Sequence, residues 1–164
     1  MKLNIESIRN DKQAWQEKGF ILPEYDIGAV REHTSEAPEW IHVGGGNVFR
    51  AYIACLADDM IKSGVLKTGI ISVSTFDDEM IDKAYKPYDN LALLVGLRAE
   101  GGRYLRVIGS VADAVTAIGS GLTKLKKIAR NASLKMISFT ITEKGYACRD
   151  MNGNVFEGVQ KDID

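Results

Sequence analysis

The sequence predicts an α/β protein: a mostly parallel sheet flanked by helices, with β-hairpin insertions. Short runs rich in β-branched residues alternate with segments whose apolar residues recur at helical spacing, the order expected when helices cover a parallel sheet. Glycine or proline sits at most of the joints between them. With 45% hydrophobic residues in 164 positions, the chain can fill the core of one ordinary domain.

Taken in order, residues 1–39 show little periodicity, and "ILPEYDIGAVREHTSEAPEW" holds two of the three prolines. This stretch is expected to be an irregular lead-in with one short helix, packed through Trp15, Phe20 and Tyr25. Residues 40–164 form the main unit. Trp40 to Val43 reads as a short buried strand, followed by Gly44, Gly45 and Gly46. A helix from about Asn47 to Ser63 is expected to bury Phe49, Ile53, Leu56 and Met60 as one stripe, with Gly64 as its stop. "TGIISVSTF" (68–76) is a second strand, and "DDEMIDKAYKPY" begins with acids suited to a helix N-terminus and is ended by Pro87. "NLALLVGLR" and "RYLRVIGSV", joined by "AEGG", form an antiparallel hairpin. Ser110 and Asp113 resemble a capping pair for a helix whose stripe is Val111, Val115, Ile118, Leu122 and Leu125. Its basic end, from Lys124 to Arg130, suits the carbonyl end of a helix dipole. "LKMISFTIT" (134–142) is another buried strand. Asn152-Gly153 marks a hairpin turn, and the chain closes on a polar tail.

A strand that feeds a glycine turn into a helix makes an anion site. The first helical amides lack partners inside the helix, and the dipole is positive there. Glycine also lets a diphosphate approach the backbone closely. Gly44 and Gly46 supply the first two glycines of the dinucleotide fingerprint; Phe49 stands at the third. The candidate cofactor-binding residues are therefore Gly44, Gly45, Gly46, Asn47, Val48, Phe49 and Arg50, whose guanidinium lies one turn into the helix. Asp77, beyond the second strand, has two readings: a ribose ligand or a helix cap. A methyl-donor-dependent transferase core and a non-catalytic nucleotide sensor would share this loop, so both stand as alternatives.

The remaining composition argues against other classes. A formal charge of −1 offers no basic field for nucleic acid. No apolar run approaches the roughly 18 residues that a membrane span requires. Cys55 and Cys148 lie far apart without a CxxC spacing, which fits reduced thiols in a cytoplasmic protein. Two histidines and two distant cysteines build neither a metal site nor a Ser-His-Asp arrangement. His42, on an apolar strand, reads as a satisfied core residue.

Four segments in series resemble the long-chain mannitol dehydrogenase family, which includes mannitol dehydrogenases, fructuronate (mannonate) reductases and tagaturonate reductases. They are Pro23, Tyr25 and Asp26; then Ile41, His42, Val43, Gly44, Gly46, Asn47 and Arg50; then Ile108, Gly109 and Ser110; and last Thr142, Glu143, Gly145 and Tyr146, with Lys144 in the style of the uronate reductases. Phe49 and Tyr52 stand where members usually carry histidine, which puts the chain on an outlying branch. The resemblance implies a Rossmann-like domain binding NAD or NADP in an oxidoreductase that interconverts a sugar alcohol or sugar acid and its keto form. It implies contacts to cofactor or substrate from Ser110, Thr142 and Glu143. It also implies a helical C-terminal domain carrying the catalytic lysine, so no catalytic residue is expected within this chain.

Overall fold

The computed structural model describes residues 1–75 and 78–164, the side chains of Glu143 and Lys144 excepted. Its strands are β1 (Phe20–Ile21), β2 (Trp40–Val43), β3 (Ile70–Ser74), β4 (Ala92–Leu97), β5 (Arg103–Ile108), β6 (Val111–Thr116) and β7 (Met136–Phe139). Its α-helices are α1 (Ile5–Asn10), α2 (Lys12–Glu17), α3 (Ile27–Glu36), α4 (Ala54–Lys62), α5 (Gly119–Ala129) and α6 (Glu157–Ile163). The strands form two sheets among the described residues. One has four parallel strands in the order β6-β3-β2-β7, and the other has the order β1-β5-β4. The fold is Rossmann-like, as expected. From β2 the chain steps outward through β3 to β6, then returns to place β7 on the other side of β2. This reversal is a topological switch point, where open α/β sheets collect ligands beyond the carboxyl ends of the strands.

Each face of the parallel sheet carries its own core. On one, Ile70 and Val111 pack with Phe49, Ala54, Ala57, Ile81 and Tyr85. On the other, Ile41, Ile71, Val73 and Val115 meet Leu125 and Ile128 of α5. Alternate residues of β3 thus point to opposite cores, and all five of its residues are buried. The β4–β5 hairpin forms in antiparallel register as expected, from Ala92 opposite Ile108 to Leu97 opposite Arg103.

Several expectations are overturned. The lead-in is regular: α1 and α3 are capped by the side chains of Asn4 and Asp26, which accept from the amides of Ser7 and Ala29. Six-residue helices are too short to display a period. Trp15 and Phe20 do pack together, edge to face. The expected stripe after the glycines is wrong by one residue beyond Phe49. Residues Phe49–Ile53 form a π-helical turn, closed by the amide of Ala54 on the carbonyl of Phe49. The wider turn consumes an extra residue, so Ala54, Ala57, Asp58 and Ile61 face inward while Leu56 is 46% exposed. Gly64, with φ +77°, does follow the helix end.

Val111 to Thr116, expected as helix, is strand β6, and α5 begins only at Gly119. Val111 and Val115 lie four apart, a spacing that satisfies both a helical face and the two-residue strand repeat. β7 is a strand but not a buried one: Phe139 is 57% exposed. The Asn152-Gly153 turn forms around Asp150, whose carboxylate accepts from the amides of Asn152 and Asn154. It is closed by a single antiparallel bridge between Arg149 and Val155. The tail beyond it is helix α6.

Asp58 of α4 joins the lead-in to the rest. Its carboxylate accepts from the Tyr25 hydroxyl, from Arg106 Nη2 at 2.7 Å and from the amide of Gly109 at 2.9 Å. The proline–tyrosine–aspartate segment is thereby docked on both α4 and β5.

Candidate functional site

The glycine loop leaves the carboxyl end of β2, the central strand beside the switch point. Its first amide is spent within the sheet: Gly44 N–H donates to Val73 O at 2.9 Å. The helix begins with Arg50 N–H on Gly46 O at 3.1 Å. Between these two bonds, the amides of Gly45, Gly46, Asn47, Val48 and Phe49 donate to nothing among the described residues. The loop carbonyls, in contrast, are tied down. Gly44 O accepts from the Thr140 hydroxyl at 3.1 Å, and Gly45 O from the Tyr85 hydroxyl at 2.6 Å.

The three glycines are glycines for different reasons. Gly44 has φ +111°, and a β-carbon there would lie 2.5 Å from Thr140 Oγ1. One at Gly45 would lie 2.7 Å from the Tyr85 hydroxyl and 2.8 Å from Ser72 Oγ. At Gly46, φ is not positive and nothing lies within 4 Å of the β-carbon position. Packing and backbone strain thus explain two glycines and leave the third facing open space.

Arg50 is held by its neighbours: Nη2 donates to Asn47 Oδ1 at 2.5 Å, and the guanidinium carbon lies 5.7 Å from the centroid of the Tyr85 ring. Asn47 and Arg50 also line a cavity of about 480 Å³ against Tyr88 and Leu93. A second cavity, of about 340 Å³, opens at the far ends of the strands beside Arg31, Thr34 and Lys127 and shares no wall with the loop.

The other expected residues divide. Thr142 is exposed just beyond β7, at the same sheet edge as the loop, and Glu143 opens the 3-10 turn Glu143–Tyr146 there. Asp77 lies outside the described residues. Phe49 is fully buried and stacks on the His42 ring at 4.4 Å, so its side chain belongs to the core and is closed to a ligand. Val48 presents a 65% exposed side chain, leaving its amide as its polar contribution. Ser110 is misplaced by the sequence reading. It precedes β6, its carbonyl accepts from Ile70 N–H at the opening end of β3, and its buried hydroxyl donates to Ala54 O at 2.6 Å. That is the opposite end of the sheet from the loop. The sequence reading ran residues 103–111 together as one strand, whereas the chain leaves β5 after Ile108, turns through Gly109 and Ser110, and begins β6 at Val111.

Sequence reasoning missed Thr140, Tyr85 and Ser138. Their signal was weak, because single hydroxyls in apolar runs are common. His42 is the satisfied core residue expected: it is fully buried, with Ser138 Oγ at 2.8 Å from Nδ1 and Thr140 Oγ1 at 3.2 Å from Nε2. Burial lowers its pKa, opposed by the backbone of Gly44.

No family model matches the chain. Individual proteins do. The chain is 42% identical, over 99% of its length, to D-mannonate oxidoreductase of Thermotoga maritima, covering 30% of that protein. It is 34% identical to mannitol 2-dehydrogenase of Pyrenophora tritici-repentis over 71% of the chain and 20% of that protein. In structure it resembles mannitol 2-dehydrogenase of Pseudomonas fluorescens, solved as a ternary complex with NAD and D-mannitol. That match has a TM-score of 0.75 and 26% identity, and covers 99% of this chain and 32% of the other. The chain belongs to the long-chain mannitol dehydrogenase family. This member spans about 30% of the length of the mannonate relative and less of the fungal one. A D-sorbitol dehydrogenase, solved without substrate, matches with a TM-score of 0.70 and 26% identity over 88% of this member and 30% of that chain.

Proposed function

We propose that this chain is the nicotinamide-dinucleotide-binding portion of an oxidoreductase acting on a sugar acid or sugar alcohol, with the diphosphate held at the glycine loop. The observation that carries this reading is the pairing of five acceptorless amides, Gly45 to Phe49, with the open space at Gly46. Amides at a helix N-terminus favour an anion, and missing β-carbons leave it room. Arg50, set by Asn47 and Tyr85 one turn along, is the cation beside them. Thr142 and Glu143, across the switch point, are the proposed contacts to the rest of the cofactor, and Asp77 the proposed ribose ligand. When bound, the dinucleotide supplies hydride exchange at its nicotinamide ring. This chain's residues bind and orient it.

The higher identity to the mannonate relative than to the mannitol one favours a sugar acid as substrate. The family's catalytic lysine is assigned to no residue of this chain, and residues 40–164 are taken as the cofactor domain with 1–39 packed on it. The unbridged thiols of Cys55 and Cys148 support a reducing, cytoplasmic setting. No helix among the described residues is long and apolar enough to cross a membrane.

Gly46→Val tests the site. The new side chain branches into the space left for the diphosphate, so affinity for NADH or NADPH falls by about 30-fold or more, a loss of about 2 kcal/mol. The folded state meets no clash, so stability changes by no more than about 0.5 kcal/mol. Calorimetric titration of the intact protein with NADH, NADPH and the methyl donor in turn separates the two nicotinamide carriers. Tightest binding of the methyl donor, or a folded Gly46→Val variant with unchanged affinity, removes the proposal.

A further inference from the structure

Resting on that reading of the loop, we propose that His42, Thr140 and Tyr85 are positioning residues. Hydrogen-bond relays running out of the sheet fix two loop carbonyls and thereby aim the Gly45 and Gly46 amides.

The first relay has a direction that can be deduced from its ends. Trp40 Nε1 can only donate, and it donates to Ser138 Oγ at 2.7 Å. The Ser138 hydroxyl hydrogen then has His42 Nδ1, 2.8 Å away, as its acceptor among the described residues. In this direction Nδ1 is the bare nitrogen. At the far end, Gly44 O can only accept, and it takes the hydrogen of Thr140 Oγ1 at 3.1 Å. The lone pairs of Thr140 are left to receive the Nε2 hydrogen of His42 at 3.2 Å. The Gly44 end demands a proton on Nε2 and the Trp40 end accommodates a bare Nδ1, so the two together fit a neutral imidazole with its proton on Nε2. Stacking on Phe49, with 11° between the rings, sets the plane of the ring. Burial, which disfavours the charged form of His42, agrees with this assignment.

The second relay is shorter. The buried Tyr85 hydroxyl donates to Gly45 O at 2.6 Å and accepts from Ser72 Oγ at 3.2 Å.

A trans peptide is planar, with its N–H pointing opposite to its C=O. Holding the carbonyl of Gly44 on Thr140 therefore turns the amide of Gly45 away from Thr140. Holding the carbonyl of Gly45 on Tyr85 does the same for the amide of Gly46. These are the first two of the five acceptorless amides. The anchoring side chains need not touch the ligand. They remove the freedom that a three-glycine loop would otherwise keep, so less ordering is left to binding.

Two measurements on the intact protein test this. Of the two histidines, His33 is exposed, so His33→Gln leaves one imidazole to observe by nitrogen NMR. The expected signature is a pyridine-type Nδ1 and a pyrrole-type Nε2; a proton on Nδ1 overturns the relay. Thr140→Val keeps the side chain's shape and removes its hydroxyl. The Gly45 amide resonance should shift, and the dissociation constant for NADH should rise about tenfold, the scale of one net hydrogen bond. Thr140→Ser should return both, the constant to within about twofold of the parent. A Thr140→Val variant with an unmoved Gly45 resonance and unchanged affinity overturns the aiming role. If the parent protein binds no NADH, the proposed function fails, while the tautomer and the Gly45 shift still decide the relays.

Discussion

β3 and β7 flank the same central strand, pair with it in the same parallel sense, and share its register: Ile41 stands beside Ile71 on one side and Ile137 on the other. Yet every residue of β3 is buried, whereas Ser138 alone in β7 is even partly so. The difference lies in what covers them. β3 has β6 on its outer edge, the α4 layer on one face and α5 on the other. β7 has no outer neighbour among the described residues. A strand's apolar pattern states its demand for burial; neighbours decide whether the demand is met. β7 is held instead by polar bonds to its neighbour, through Trp40, Ser138, His42 and Thr140, and these lead to the glycine loop.

The largest effect expected on the covered side comes from Asp58→Ala. It strands the Tyr25 hydroxyl and the Gly109 amide and leaves Arg106 Nη2 only Asp59, at 2.6 Å, at a cost of about 3–5 kcal/mol in urea unfolding. A cost under about 1 kcal/mol would show that the lead-in docks without this carboxylate. Next, Ile70→Ala on β3 should cost about 2–5 kcal/mol by opening a cavity between Phe49 and Val111. The matching change on the edge strand, Ile137→Ala, should cost less than about 1 kcal/mol, because that side chain is already half exposed. Equal costs would mean that β7 is covered in solution.

The smallest effect is the pH dependence contributed by His42, whose folded pKa lies below its ordinary 6.5. The unfolded chain then binds the proton more readily than the folded one. The contribution of His42 is complete above about 6.5 and is lost as pH falls from there through the folded value. Stability measured from pH 8 to 5 should decline at the acid end, and the decline should weaken in His42→Gln. The opposite slope would mean that the folded state prefers the charged imidazole.

Much of the candidate site was legible because its chemistry is local. Three glycines between an apolar strand and a helix state a turn, a helix start and room for an anion within a few residues. Ser110 was misplaced because nothing local distinguishes a strand's last residue from the turn before the next strand. The stripe beyond Phe49 slipped because a π-turn changes the count without changing the composition. Thr140 and Tyr85 were invisible because their partners lie 96 and 40 residues away in sequence.

The sequence by itself determined the α/β alternation, the hairpin joined by "AEGG", the glycine loop and the family, since each depends on short-range pattern. Only the tertiary structure decided that Val111–Thr116 is a strand and β7 an edge, that Asp58 joins the lead-in to the sheet, and which loop amides remain free. Those outcomes depend on which groups meet after folding. A hydrogen bond or a buried face belongs to two distant segments at once, and no local pattern records the second of them.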